Sequence, residues 1–184
     1  MIRKLPTIEE IREKVINIIE DSVDPEDTVK PDVPLMAGQG FDSLDLIETG
    51  FSLQEFFEFE FSDKNAIEEL SKALGDDSII SESGHLTELG REMVFKRMPE
   101  LKNVDLPQEI TPLQLQQYYT VDTFSRLILE FYKAAPDVCP ETGEAVVIED
   151  FKVVTTASGR PVKIPTGDAI IDRWVSEAVP TVKT

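Results

Sequence analysis

The sequence predicts a mainly helical protein with a small β-containing C-terminal extension, and two patterns support this fold class. Before about residue 133, apolar residues recur at steps of three and four, the spacing that gathers side chains on one face of an α-helix. After Pro136 the chain becomes rich in Val, Ile and Thr and carries the turn signal ASGRP, which is typical of a small hairpin or a three-stranded meander. With 184 residues, the chain is long enough to bury a core.

The first helix is predicted in the segment PTIEEIREKVINIIEDSV. Its apolar positions at helical spacing are Ile8, Ile11, Val15 and Ile18 or Ile19. Thr7 is a candidate N-cap, and Glu10 stands three places later as its capping-box partner.

A long loop is predicted from Asp24 to Gly40. Prolines and glycines exclude a continuous helix there, at Pro25, Pro31, Pro34, Gly38 and Gly40. We expect the loop to be held by its few apolar residues, Val29, Val33 and Leu35.

A second helix is predicted from about Asp42, with one packing face and one acidic face. The apolar half of its helical wheel contains Leu44, Leu46, Ile47, Gly50, Phe51, Leu53 and Phe57. The opposite face carries Asp45, Glu48, Ser52 and Glu55.

Four further helices are predicted beyond this one. They are DKNAIEELSKAL, closing at Gly75; SGHLTELGREMVFKRMPEL, stopped at Pro99; a helix of about four turns within LQLQQYYTVDTFSRLILEFY; and GDAIIDRWVSEAV, with Ile170, Ile171 and Trp174 packed.

Charge and composition exclude several classes of function. The formal net charge of −18 opposes binding to nucleic acid or to anionic membrane surfaces and favours basic partners. With Cys139 as the one cysteine, neither an intramolecular disulfide nor a multi-cysteine metal site can form, so we expect no metal. The N-terminus does not resemble a signal peptide and no apolar run is long enough for a membrane span, which predicts a cytoplasmic protein without membrane insertion.

Ser43 lies where the second helix begins and raises the question of function. The first turn of a helix has unpaired N–H groups and the positive end of the helix dipole, which suit a phosphate. Asp42 is itself a good N-cap with Asp45 three places on, so capping does not require the Ser43 hydroxyl.

The surrounding segment GFDSLDLIE, Gly40 to Glu48, closely resembles the attachment motif of acyl carrier proteins. In that family the serine of G-x-D-S-L opens the second helix and carries phosphopantetheine. The similarity continues in FEFSDKNA, Phe59 to Ala66, and in YTVDTFSRLI, Tyr119 to Ile128, which is similar to the family's fourth helix.

The resemblance implies an acyl-carrier-like helical bundle formed by residues 1–75 and 118–133. Residues 76–117 would be a helical insertion, and residues 134–184 a C-terminal extension with a possible hairpin and a short helix. The chain departs from the family at Gly38 and Gln39, which replace the usual D-L, at Gly50 within the helix, and at Phe51, where the family prefers Met.

The resemblance also assigns roles to individual residues. Ser43, flanked by Asp42 and Leu44, would be joined to the phosphopantetheine of coenzyme A by a separate phosphopantetheinyl transferase, and the protein itself would not be an enzyme. Acyl groups for fatty-acid, polyketide or specialised lipid biosynthesis would be carried as thioesters. Asp45, Glu48 and Glu55 would meet basic patches on acyl-transferring and condensing enzymes, and Phe51, Leu53, Phe57 and Phe124 are candidates for an acyl pocket. We expect a monomer.

Two other functions were compared with that of a carrier. A Ser-His-Asp hydrolase is disfavoured because His85 is the one histidine and Ser43 lacks a G-x-S-x-G elbow. The alternative that stays open is an unmodified carrier-like adaptor or interaction module, which modification at Ser43 would distinguish from a carrier.

Overall fold

A computed structural model describes residues 4–183, and it is mainly helical with one small antiparallel sheet near the C-terminus. The α-helices are α1 (Ile8–Val23), α2 (Leu35–Gln39), α3 (Ser43–Phe57), α4 (Ala66–Leu74), α5 (Glu88–Arg97), α6 (Val121–Ala134) and α7 (Gly167–Val182). Single 3-10 helices span Pro99–Asn103 and Leu113–Tyr118. The sheet pairs β1 (Val146–Glu149) with β2 (Lys152–Thr155) as a hairpin, with Val147 opposite Val154.

The first core lies where α1 packs against α3 and α6. As predicted, Thr7 and Glu10 form a capping box at the start of α1, and Ile11, Val15 and Ile19 are buried. The loop predicted from Asp24 to Gly40 contains the short helix α2. Of its three predicted anchors, Val29 and Leu35 are buried in this core and Val33 is half-buried.

Aromatic rings join the end of α3 to α6 and to the C-terminal hairpin. Phe59 stacks on Phe131 with centroids 4.9 Å apart, and the Phe57 ring meets that of Tyr132 at 6.4 Å. The Tyr132 hydroxyl donates to the Phe151 carbonyl oxygen at 2.8 Å. Lys152 donates to the Phe56 carbonyl oxygen, so the hairpin is fixed to the last turn of α3.

A second core forms where α4 packs against α7 and against residues of the 76–117 segment. Ile67 and Leu70 of α4, Met93 and Val94 of α5 and Ala178 of α7 are buried in it. Burial of these side chains explains why α4, a helix of nine residues, is stable here, since isolated helices of that length are marginal in water.

The start of α7 lies unusually close to the chain that follows α3. The Gly167 N–H donates to the Glu60 carbonyl oxygen at 2.7 Å, and a Cβ at residue 167 would lie 2.4 Å from the Ser62 backbone nitrogen. Only glycine fits this approach. The Ser62 hydroxyl donates to Asp168, and the Lys64 ammonium pairs with Asp172 at 2.9 Å.

Three helix boundaries differ from the sequence predictions. The helix predicted to begin before His85 begins at Glu88, because Ile80 and Leu86 form a β-bridge and Thr87 is the N-cap. The segment before Tyr119 is a 3-10 helix, and α6 begins after it at Val121 with a capping box between Thr120 and Thr123. The last helix continues past Val179 to Val182 and includes Pro180.

The prediction that the whole apolar half of α3 packs against the core is wrong for one side of that half. Leu44, Ile47 and Phe51 are 71%, 55% and 66% exposed, whereas Thr49, Leu53 and Phe57 are the buried residues of this helix. The buried residues stand four apart and form a narrow stripe, which packs against α1. The structure therefore leaves an apolar strip on the surface of α3.

Candidate functional site

Ser43 is the first residue of α3 and is exposed. The Asp42 carboxylate accepts the N–H groups of Leu44 at 2.7 Å and Asp45 at 3.0 Å, and the Asp45 carboxylate accepts the Asp42 N–H at 2.8 Å. This is the capping box that the sequence predicts. Among residues 4–183, the Ser43 hydroxyl has no hydrogen-bond partner, so it takes no part in closing the helix.

The turn before Ser43 is held by Gly38 and Gln39, two of the positions at which the chain departs from the carrier-protein pattern that it resembles. The Gln39 side-chain amide accepts from the Lys30 N–H at 2.7 Å and donates to the carbonyl oxygens of Lys30 and Val33. A Cβ at Gly38 would lie 2.6 Å from Val33 Cγ1, so glycine permits the close contact between loop and turn. These two departures therefore stabilise the segment that leads into Ser43.

The exposed apolar strip on α3 begins beside Ser43. We define it as Leu44, Ile47 and Phe51, which stand at steps of three and four along one side of the helix. Glu48 and Glu55 are exposed next to it, and Asp45 is half-buried because its carboxylate also serves the cap. The three acidic residues predicted to contact partners are thus on the same helix as the strip and Ser43.

The four candidates for an acyl pocket are not brought together. Phe51 lies on the surface in the apolar strip, and Leu53 and Phe57 are fully packed in the first core. Phe124 alone lines a cavity. Whether an acyl chain contacts any of the four stays a prediction.

That cavity has a volume of about 210 Å³ and lies between the two cores. Its walls come from four parts of the chain: the segment from Phe61 to Ile67, the end of α5, the start of α6 and the first turns of α7. No motif or spacing in the sequence predicts this cavity, because its lining residues meet only in the folded chain. The apolar residues that line it include Phe61, Ile67, Met98, Phe124, Leu127 and Ile171.

Two arginines of the cavity wall belong to an ion-pair network that joins α5 to α6. Arg97 Nη1 contacts both carboxylate oxygens of Glu130, at 2.5 and 2.6 Å, and Arg126 contacts Glu130 at 2.6 Å and Glu100 at 3.0 Å. The Arg97 side chain is 8% exposed, and its guanidinium lies 5.7 Å from the centre of the Trp174 ring. The network fixes the insertion and α7 against the first core.

His85 and Cys139 were the other residues considered for catalysis, and their contacts are local. His85 Nδ1 lies 3.1 Å from Ser83 Oγ, within the turn before α5. Hydrogen bonds from the Thr142 hydroxyl and from the backbone N–H groups of Thr142 and Glu141 lower the pKa of the Cys139 thiol, which is buried.

Residues 4–183 contain no group of three His, Cys, Asp or Glu side chains placed to hold a metal ion. No helix in the same range is both long and apolar enough to cross a bilayer.

Comparisons with family models, with curated proteins and with solved structures gave no significant match to this chain.

Proposed function

We propose that this protein is an acyl carrier protein, which carries acyl intermediates as thioesters on a phosphopantetheine arm attached to Ser43. The observation that best supports the proposal is the accessibility of the Ser43 hydroxyl. This hydroxyl is exposed at the first position of α3 and has no partner among residues 4–183, because Asp42 and Asp45 cap the helix without it. An enzyme that modifies the protein can therefore reach the hydroxyl without opening the fold.

The attachment requires no catalytic group of this chain. A phosphopantetheinyl transferase would bring coenzyme A to Ser43, where the serine oxygen forms a new bond to the phosphorus and 3′,5′-adenosine bisphosphate leaves. The serine proton passes to a base of the transferase. The attached group supplies the terminal thiol on which an acyl group is held, so this protein presents cargo to other enzymes and performs no bond-breaking step itself.

The surface around Ser43 suits a protein partner. The apolar strip of Leu44, Ile47 and Phe51 offers side chains that lose contact with water on docking, and Glu48 and Glu55 offer charge to a basic patch. Residues 1–74 hold 18 acidic and seven basic residues, a net charge of −11, so most of the charge of −18 lies in this part of the chain. Partners are proposed to be acyl-transferring and condensing enzymes with basic docking patches, and the pathways served to be fatty-acid, polyketide or specialised lipid biosynthesis.

The test is the intact mass of the protein after incubation with coenzyme A and a broad-specificity phosphopantetheinyl transferase. We expect a gain of one phosphopantetheine in the parent and in Ser52→Ala, a matched change on the same helix, and no gain in Ser43→Ala. No gain in the parent, under conditions that modify an ordinary carrier, would contradict the proposal and favour the unmodified adaptor.

A further inference from the structure

The cavity between the two cores combines apolar walls with hydrogen-bond donors that the protein does not use. Arg97 engages Glu130 through Nη1 alone, so Nε and Nη2 have no partner among residues 4–183. Arg126 uses Nε and Nη1, and its Nη2 is likewise unpaired in the described chain. A guanidinium has five N–H donors in a fixed fork, and the carboxylates present satisfy only part of this set.

Tyr119 adds a further unused donor to the same wall. It lies at the junction of the 3-10 helix and α6, with its ring edge-on to Phe124 at 6.3 Å, and both residues line the cavity. Its hydroxyl makes no hydrogen bond to any residue from 4 to 183. Desolvation raises the pKa of Tyr119, so its hydroxyl keeps its proton and can act as a donor at neutral pH.

A mostly apolar cavity with a few hydrogen-bond donors among its lining residues has the composition of a small-molecule site. The unused guanidinium N–H groups can only donate hydrogen bonds, and the Tyr119 hydroxyl can also donate one. A carboxylate, which only accepts hydrogen bonds, suits these groups and pairs well with arginine. An apolar cavity of about 150 Å³ holds benzene, with its six carbons, so about 210 Å³ corresponds to about eight non-hydrogen atoms.

We propose that this cavity binds a short aliphatic carboxylic acid, with its carboxylate held by Arg97, Arg126 and Tyr119 and its chain packed against Phe124 and Ile171. The site goes beyond the proposed carrier role, since it depends on the insertion and on α7. Glu100 and Glu130 balance the charges of the two arginines, so hydrogen bonds to unused N–H groups hold the bound carboxylate. The donors that it meets are the ones that these carboxylates leave unused.

Two sources can supply this chemistry, a free acid or the far end of a dicarboxylic acyl group held at Ser43. The Leu35 N–H donates to the Tyr119 carbonyl oxygen at 2.9 Å, and the Phe41 N–H donates to the Leu35 carbonyl oxygen at 3.2 Å. Ser43 follows Phe41 by two residues, which places it within about 20 Å of Tyr119. A phosphopantetheine arm has the chain length of about five peptide residues, or about 17 Å when extended, so its reach is comparable with this distance.

The first experiment uses hexanoate, which has eight non-hydrogen atoms, with the unmodified full-length protein. Trp174 is the one tryptophan and lies against Arg97, so its fluorescence reports directly on the site. We expect a saturable change with hexanoate and affinity weaker by about tenfold for 1-hexanol, which lacks the carboxylate. The affinity for hexanoate should also fall about tenfold in Tyr119→Phe and stay unchanged in Tyr118→Phe, whose side chain does not line the cavity.

The absence of a saturable response to hexanoate, equal affinities for hexanoate and 1-hexanol, or an unchanged affinity in Tyr119→Phe would each overturn the proposal. Matching thermal melts of the two tyrosine variants would exclude unfolding as the cause of any difference. Because the protein is unmodified, the result is independent of Ser43, and the carrier proposal can fail while this one holds.

A second arm of the experiment identifies the source of the ligand. The arm at Ser43 is loaded with a six-carbon dicarboxylic acyl group or with a hexanoyl group, and free hexanoate is titrated into each form. Competition by the dicarboxylic group alone would support the site and assign the cargo as its ligand. Unchanged hexanoate binding in both forms would support the site with a free acid as its ligand.

Discussion

At the residue scale, the helix cap and the exposed hydroxyl at the start of α3 belong to two different residues, Asp42 and Ser43. Asp42 closes the capping box with Asp45, and the Ser43 hydroxyl has no partner in the described part of the chain. The sequence was sufficient to predict this arrangement, because capping depends on residues close together in the chain. The roles of Gln39 and Gly38 could not be predicted in the same way, because their partners lie in a loop without regular periodicity.

The cap makes a prediction for stability. Replacing Asp42 with Ala should lower the free energy of unfolding by about 1 kcal/mol, because the N–H groups of Leu44 and Asp45 lose their acceptor. Urea unfolding monitored by circular dichroism measures this change. Ser43→Ala is the matched control and should unfold at nearly the parent's urea concentration; an equal loss in both variants would show that Ser43 also serves the cap.

At the scale of a single element, tertiary packing buries only part of the apolar face that periodicity predicts for α3. Periodicity predicted an apolar half but could not tell which part would be covered, because that depends on where α1 and α6 lie. The covered stripe contains Leu53 and Phe57, and the strip containing Phe51 is open. This open apolar strip, on a helix that also carries acidic residues, is the surface that we propose for docking of partner enzymes.

This division predicts opposite effects for two changes on one helix. Leu53→Ala should cost about 2–5 kcal/mol of stability, because it leaves a void in the first core, whereas Phe51→Ser should change stability by less than about 0.5 kcal/mol. Thermal and urea unfolding distinguish the two. Phe51→Ser should in turn weaken the use of the modified protein by a partner enzyme, and unimpaired use would argue against the strip as a docking surface.

Glycines in two helices give a second contrast at this scale. Gly50 lies within α3 with open space where a Cβ would stand, so Gly50→Ala should raise stability by up to about 1 kcal/mol through helix propensity. Gly167→Ala should lower it by about 1–3 kcal/mol, because the new Cβ would collide with the backbone at Ser62. Melting temperatures measure both changes, and a stable Gly167→Ala protein would mean that α7 can shift away from residues 60–62.

At the scale of the whole molecule, two cores are joined through residues that local patterns do not reveal. The sequence predicted a mainly helical chain with a small β-containing extension, and this is confirmed. It also suggested an insertion and a C-terminal extension, but gave no indication that the two would pack against each other and against α4. Long-range pairs such as Arg97 with Glu130 have no signature in spacing, so the cavity they border could be found only in the folded chain.

Attachment of an acylated arm to Ser43 is tested most directly by intact mass. A phosphopantetheinyl transferase transfers acetyl-phosphopantetheine from acetyl-coenzyme A to the protein, and the mass is measured before and after treatment with neutral hydroxylamine. We expect a gain of one acetylated phosphopantetheine at Ser43. Hydroxylamine should remove the acetyl group and leave the arm, because the acetyl group is held as a thioester. An unchanged mass, while an ordinary carrier is modified in the same mixture, would contradict this expectation.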